Sequence, residues 1–347
     1  MNPKYNQRLK KIEGELSRVL PERITGEWVE KTTGSLIPHI SEQFLNAINE
    51  PARELVGRGG KRWRPLLMVL CSELVGGGDR VVCLSPLVEL PHTGSLIVDD
   101  IEDNAEWRRG KKAIHLIFGT DMAINTGNFL YFLPTWVIDN SPYPAEQKLK
   151  FYQYYAETMR RLHLGQGLDI QWHTKHDYIP TISEYLRMCA FKTGSLARLA
   201  ARLGAAAGGG TNEESDILGS VAENFGVGFQ MLDDAVNLTT GNPGKKPGDD
   251  IVEGKKSLPL IIHLTEKPGD RERLQQVFYS ARMKGTEKAG PEIEEAINLL
   301  KESGSIQKTE GMAKNMLLES RNTITSSFPE SEVRALLTGI VDAFLPA

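Results

Sequence analysis

Residues 94–103 read GSLIVDDIED, and residues 228–237 read GFQMLDDAVN. Each is a glycine, four mostly apolar residues and then Asp-Asp-x-x-(Asp/Asn). Residues four apart on an α-helix share a face, so Asp99 pairs with Asp103 and Asp233 with Asn237. Two carboxylates on one face repel unless a cation lies between them. Oxygen-only ligands suit Mg2+, which keeps waters and is readily shared with substrate phosphates. A solvated acidic helix face would account for one such motif. Two of them, each followed by basic residues, point to metal chemistry.

The bases are organised too. GGKRWRP (59–65) places Lys61 and Arg64 three apart, on one helical face just after a glycine turn. Arg108 and Arg109 follow the first acidic motif. Lys192, Thr193 and Gly194 end a helical run, and GKKPGDD (244–250) and EGKK (253–256) follow the second acidic motif. Arg binds phosphate oxygens as a fork and Lys as a point charge. Glycine beside nearly every cluster lets backbone approach a ligand. The pattern reads as acids holding Mg2+, Mg2+ holding one face of a diphosphate, and Arg and Lys holding the others.

The elements that must position these groups carry a helical period. AETMRRLHLG from 156 and ISEYLRMCAF from 182 space apolar residues three and four apart, and alternating strand-like runs are scarce. Breaks at 76–79, 140–144, 208–212 and 239–250 are connector-sized, and none reads as a domain linker. The expectation is an all-α chain with a looser N-terminal arm over 1–35 and one helical domain over 36–347. The part beyond about Pro268 should be charged and helical. Pro91 should kink its helix, since it lacks an N–H donor. The 347 residues, 40% hydrophobic and 25% charged with net charge −4, give no reason to expect nucleic acid or a strongly charged membrane as partner. Cys71, Cys83 and Cys189 form no CxxC pair, which suits a reducing cytosol. There is no apolar signal core and no run of about 18 uninterrupted apolar residues. A cytoplasmic protein without a transmembrane segment is expected, with loose membrane association left open.

With these residues assembled, the chain resembles the trans-isoprenyl diphosphate synthases of the polyprenyl synthetase family. The resemblance runs from Gly59 to Pro259 through GGKRWRP, HTGSLIVDDIEDNAEWRRG, GQGLDIQW, KTG, FQMLDDAVNL and GKKPGDDIVEGKKSLP, in family order. It implies a single-domain isoprenoid-synthase bundle of mostly antiparallel helices around a deep central cavity, usually a homodimer. The implied reaction condenses isopentenyl diphosphate head-to-tail with an allylic diphosphate: dimethylallyl, geranyl or farnesyl. By position, the resemblance implies that Lys61, Arg64, His92 and Arg109 hold isopentenyl diphosphate. It gives Asp99, Asp103 and Asp233 to Mg2+, three ions per site with substrate bound, with Asp100 and Asp234 supporting. Arg108, Lys192, Lys245 and Lys255 would grip the allylic diphosphate. Thr193 and Gln230 would turn oxygen dipoles to the carbocation, and Gln166 and Asp169 would line the cavity.

DDIEDN, GQGLDIQW and DDxxNL look most like geranylgeranyl diphosphate synthases of the eukaryotic type. In that subgroup small residues before the first motif, here Gly94 and Ser95, leave the upper tunnel open. Tyr131, Phe132 and His163 match the positions that close it further down. Asn237 departs from the commoner DDxxD and removes one charge. Farnesyl or longer-chain synthesis remains an alternative. A class I terpene cyclase should lack GGKRWRP and the RRG pair, and a non-catalytic synthase subunit typically loses acids or clamps.

Overall fold

The computed structural model describes residues 3–34, 41–175, 177–241, 247–285 and 288–345. The helices, in chain order, are α1 (Asn6–Val19), α2 (Gly26–Thr33), α3 (Glu42–Gly57), α4 (Trp63–Leu74), α5 (Pro86–Glu102), α6 (Ile114–Phe118), α7 (Thr120–Phe132), α8 (Thr135–Asp139) and α9 (Ala145–Thr174). They continue with α10 (Ile182–Cys189), α11 (Ser195–Ala207), α12 (Asn212–Asn237), α13 (Asp249–Glu253), α14 (Leu258–Glu266), α15 (Arg271–Lys284), α16 (Gly290–Glu302), α17 (Ser305–Ser327) and α18 (Glu332–Asp342). Among the described residues the strands are β1 (Trp107–Arg108) and β2 (Lys111–Lys112), one antiparallel hairpin. The helical period therefore decides the class, and the segment beyond Pro268 is helical as expected.

The chain packs as two compact units. Unit 1 is Met1–Met159, Leu199–Gly219 and Glu332–Leu337. Its fully buried residues include Ile12 and Leu16 of α1, Met68 and Leu70 of α4, Leu87, Leu90 and Ile97 of α5, and Leu130 of α7. The first helix packs into this core: Ile12, Leu16 and Val19 fall on one face and are buried, and Tyr5 donates to the Leu336 carbonyl at 2.8 Å. The expected boundary at 35/36 lies outside the described residues. Helix α5 runs through Pro91 without a break in its assignment. The segment 79–102 is the one stretch among the described residues with the length and apolarity of a membrane span, and 72% of its apolar window is buried inside the protein.

Helix α5 crosses α7 closely. A Cβ placed on Gly94 would lie 2.7 Å from the Gly127 carbonyl oxygen, and one on Gly127 would lie 2.6 Å from Val98 Cγ2. Both glycines are needed for that approach.

Unit 2 is Arg160–Arg198, Ser220–Ser331 and Thr338–Ala347. One apolar cluster joins Leu260, Leu274, Phe278, Leu300 and Ile306 from α14 to α17. Another joins Trp172, Tyr185, Met231, Ile261 and Ala313. Helix α10 passes into α11 through a π-helical turn, Ala190–Gly194.

Candidate active site

Unit 1 carries the first acidic motif at the C-terminal end of α5. Asp99 and Asp103 are half-buried, whereas Asp100 is fully buried. Asp100 accepts from Arg108 through Nε at 2.7 Å and through Nη2. Arg108 Nη2 also lies 3.7 Å from Asp99. Burial raises the Asp100 carboxyl, and Arg108 opposes that rise. Arg108 is thus anchored on β1, and Arg58 fixes the same strand by donating to the Arg108 carbonyl at 2.8 Å. The hairpin turn is Arg109-Gly110, with φ 53° and 76°. Two left-handed central residues make the tight turn that suits strand twist.

Beside this turn stand Arg109 and Arg64. Arg109 donates to the carbonyls of Leu55, at 3.3 Å, and Gly59. The Arg64 guanidinium stacks 4.4 Å from the Trp63 ring centroid, and its Nε is buried with no hydrogen-bond partner. Neither arginine ion-pairs with a carboxylate among the described residues. Burial lowers Arg64 to about 10, with Arg109 adding to the fall and Glu89 opposing it. Burial also lowers Arg109, with Arg62, Arg108 and Arg58 adding. His92 is pushed well below its usual range, by burial first and then by Arg64, Arg109, Arg108 and Arg62, so it is neutral near pH 7. Such a cluster is poised to receive an anion. Lys61 is exposed and lies before the first residue of α4. It does not share a helical face with Arg64, because Arg62 caps α4 in the left-handed conformation.

Unit 2 carries the second motif near the end of α12. Asp233 is half-buried, and Asp234 is buried. Asp234 Oδ2 accepts from the Tyr185 hydroxyl at 2.7 Å and the Leu258 N–H at 2.8 Å, and Oδ1 accepts from Gln230 Nε2 at 3.1 Å. Burial, with Asp250 adding, raises Asp234 to about 7. Gln230 Oε1 in turn accepts from Thr193 Oγ1 at 3.0 Å. Thr193 and Lys192 sit on the π-helical turn, a device common at functional sites. Gly165 lets α9 lie directly against the Lys192 backbone, where a Cβ would collide. Lys192 donates to Asp169 at 2.6 Å. Although burial opposes it, Lys192 and then His173 hold the Asp169 carboxyl well below the usual carboxylate range. Asn237 is fully buried, and both side-chain polar atoms lack a partner. Lys255 is paired with Glu253 and lies 3.5 Å from Asp250. Lys245 lies outside the described residues.

Each unit thus presents half-buried carboxylates as all-oxygen donors, a set that fits a hard divalent cation. Among the described residues no three His, Cys, Asp or Glu side chains converge as a metal site. The residues matched to chain length fare differently. Tyr131 is buried, but Phe132 is 73% exposed and His163 is exposed. Gly94 faces α7 at the close crossing, where a Cβ would meet the Gly127 carbonyl and the Tyr131 ring. Ser95 is half-buried and bonds the His92 carbonyl at 2.9 Å. Gln166 is half-buried in unit 2.

Sequence reasoning missed Tyr185, Arg62 and Glu89. A lone Glu in the apolar run PLVELPH was a usable signal, because a buried carboxylate must find a partner.

A family profile described as Polyprenyl synthetase matches residues 45–298. A geranylgeranyl pyrophosphate synthase of Eremothecium gossypii is 37% identical over 66% of this chain and 72% of its own length. A geranylfarnesyl diphosphate synthase of Aeropyrum pernix is 31% identical over 88% of this chain and 98% of its own. The crystal structure of a geranylgeranyl pyrophosphate synthetase from Pyrococcus horikoshii superposes with a TM-score of 0.84 at 29% identity, covering 99% of this chain and 97% of that one.

Proposed function

This chain belongs to the polyprenyl synthetase family, and from that premise we propose that it condenses isopentenyl diphosphate with an allylic diphosphate to make geranylgeranyl diphosphate. The observation that carries the reading is the pair Arg64 and Arg109, two largely desolvated guanidiniums with no ion-paired carboxylate among the described residues, beside a neutral His92. They and Lys61 receive the isopentenyl diphosphate anion. Asp99, Asp103 and Asp233 would hold Mg2+, three ions per site with substrate bound, and the metal would supply positive charge for departure of the diphosphate. Arg108, Lys192, Lys245 and Lys255 neutralise that leaving group further. The allylic C1–O bond breaks, the isopentenyl double bond attacks C1, and a proton leaves with the released pyrophosphate. Thr193, held by Gln230, keeps its oxygen lone pairs available to the allylic cation. Water has to be excluded while that cation exists.

We take residues 36–347 as the catalytic domain and the cytoplasm as the compartment, in keeping with three free thiols. A homodimer is favoured by the exposed apolar residues Ile124 and Phe132 on α7 and Leu116 and Ile117 on the adjoining α6. A C25 product is the second reading. It is supported by the exposure of Phe132 and by the geranylfarnesyl synthase relative.

Purified protein given isopentenyl diphosphate and farnesyl diphosphate with Mg2+ should yield a C20 product by chromatography. C25 would select the second reading, and no condensation would end both. Arg109→Ala should raise KM for isopentenyl diphosphate about ten- to a hundredfold, the loss of one charged phosphate contact. An equal rise for the allylic substrate would show that Arg109 does not belong to one substrate alone.

A further inference from the structure

Arg62 lies between Lys61 and Arg64 yet turns away from any incoming anion. It is 4% exposed, with φ 47°. Its Nε donates to Glu13 at 2.7 Å, its Nη1 to Glu89 at 2.7 Å and its Nη2 to the Val56 carbonyl at 2.8 Å. Its own carbonyl accepts the first hydrogen bond of α4, from Leu66 N–H at 3.1 Å. A left-handed non-glycine residue persists only when its surroundings hold it there, and here the guanidinium anchors do so. Glu89 is 3% exposed and is the carboxylate that stabilises the charges of both Arg64 and Arg109. Glu13 and Glu89 thus share the Arg62 guanidinium. Glu13 stands on α1, half-exposed, outside the family-matched segment 45–298.

We infer that Glu13 is a positioning residue for the isopentenyl diphosphate site, acting through Arg62. By fixing the buried Arg62 guanidinium it holds the 61–64 turn, so that Lys61 and Arg64 keep their places relative to Arg109. The first helix is then a working part of the substrate site. The inference rests on the reading of Arg64 and Arg109 as the isopentenyl diphosphate clamp.

The test is steady-state kinetics on the full chain, each substrate varied in turn, for wild type, Glu13→Gln and Glu13→Asp. Glu13→Gln should raise KM for isopentenyl diphosphate about tenfold and change kcat and the allylic KM by less than about twofold. Glu13→Asp, which keeps the charge, should recover most of the loss. In an Arg62→Gln background, Glu13→Gln should add less than about twofold. An unchanged KM for isopentenyl diphosphate, an equal rise for both substrates, or a full independent effect without Arg62 would overturn the inference. Calorimetry with inorganic pyrophosphate and no metal reads the same cluster without turnover, and Glu13→Gln should weaken that binding about tenfold too. A wild type that binds pyrophosphate in this way but condenses nothing counts against the functional reading alone. Equal pyrophosphate affinity in wild type and Glu13→Gln counts against the role of Glu13.

Discussion

In unit 1 the second aspartate of the acidic motif, Asp100, is buried against a guanidinium, and the fifth residue, Asp103, is half-buried. In unit 2 the second aspartate, Asp234, is buried against neutral donors, and the fifth residue, Asn237, is fully enclosed with an unsatisfied amide. The first aspartates, Asp99 and Asp233, are alike in being half-buried. The same spacing thus serves two constructions. In one, a carboxylate fixes the Arg108 guanidinium, which is proposed to grip the allylic diphosphate. In the other, it fixes the Gln230–Thr193 hydrogen-bond chain, and the motif's last position has been given over to the interior.

The largest effect should come from the positions the motifs share. Asp99→Ala and Asp233→Ala should each lower kcat on the order of a thousandfold, about 4 kcal/mol of metal-dependent stabilisation. Asn237→Ala should lower it less than about tenfold, because a fully buried amide has no face to offer a ligand. A thousandfold loss in Asn237→Ala would erase the difference between the fifth positions.

Next come the second aspartates, read by denaturant unfolding. Asp100→Asn leaves the Arg108 guanidinium without its carboxylate and should cost about 3 kcal/mol. Asp234→Asn keeps an oxygen acceptor for Tyr185 or Leu258 and should cost about 1.5 kcal/mol. Equal costs would mean that the ion pair and the neutral cage are interchangeable.

The third effect depends on pH. Folded unit 1 holds His92 neutral, with a value well below the 6.5 of the free side chain. Below about 6.5 the unfolded chain takes up a proton that the folded chain refuses, so stability present at neutral pH is lost as pH falls. The slope from this residue should approach about 1.4 kcal/mol per pH unit. His92→Gln should flatten melting temperature against pH between about 5 and 6.5. An unchanged profile would place the acid sensitivity elsewhere. Smallest, Tyr185→Phe removes one neutral hydrogen bond to Asp234 and should cost about 1 kcal/mol. A null effect on unfolding would show the cage to be over-provided with donors.

Residues whose placement depends on local spacing were readable in advance. Asp99 with Asp103, the helices that carry them and the cluster of bases follow from period and charge alone. Properties set by the third dimension were not. Two-residue strands have no period to detect, so the hairpin that aims Arg109 was invisible, as was the left-handed Arg62 that takes Lys61 off the helix. Tyr131 and Phe132 are adjacent aromatics of similar hydrophobicity, yet one is buried and the other 73% exposed. Only the rotation of α7 within its unit decides between them. The Glu13–Arg62 pair joins residues 49 apart in sequence, a separation no local pattern reports.

The π-helical turn Ala190–Gly194 gives its helix two phases. One residue more than an α-helix would use is wound into a single turn, so the side chains before and after it are indexed to axes offset by roughly 100°. Tyr185 and Cys189 keep step with the first phase and Ser195 onwards with the second, while Lys192 and Thr193 stand on the splice. A single deletion anywhere between 190 and 194 would leave a continuous and better-formed helix. It would also turn Lys192 off Asp169 and Thr193 off Gln230. The irregularity works as a vernier, and perfecting the helix would put the instrument out of adjustment.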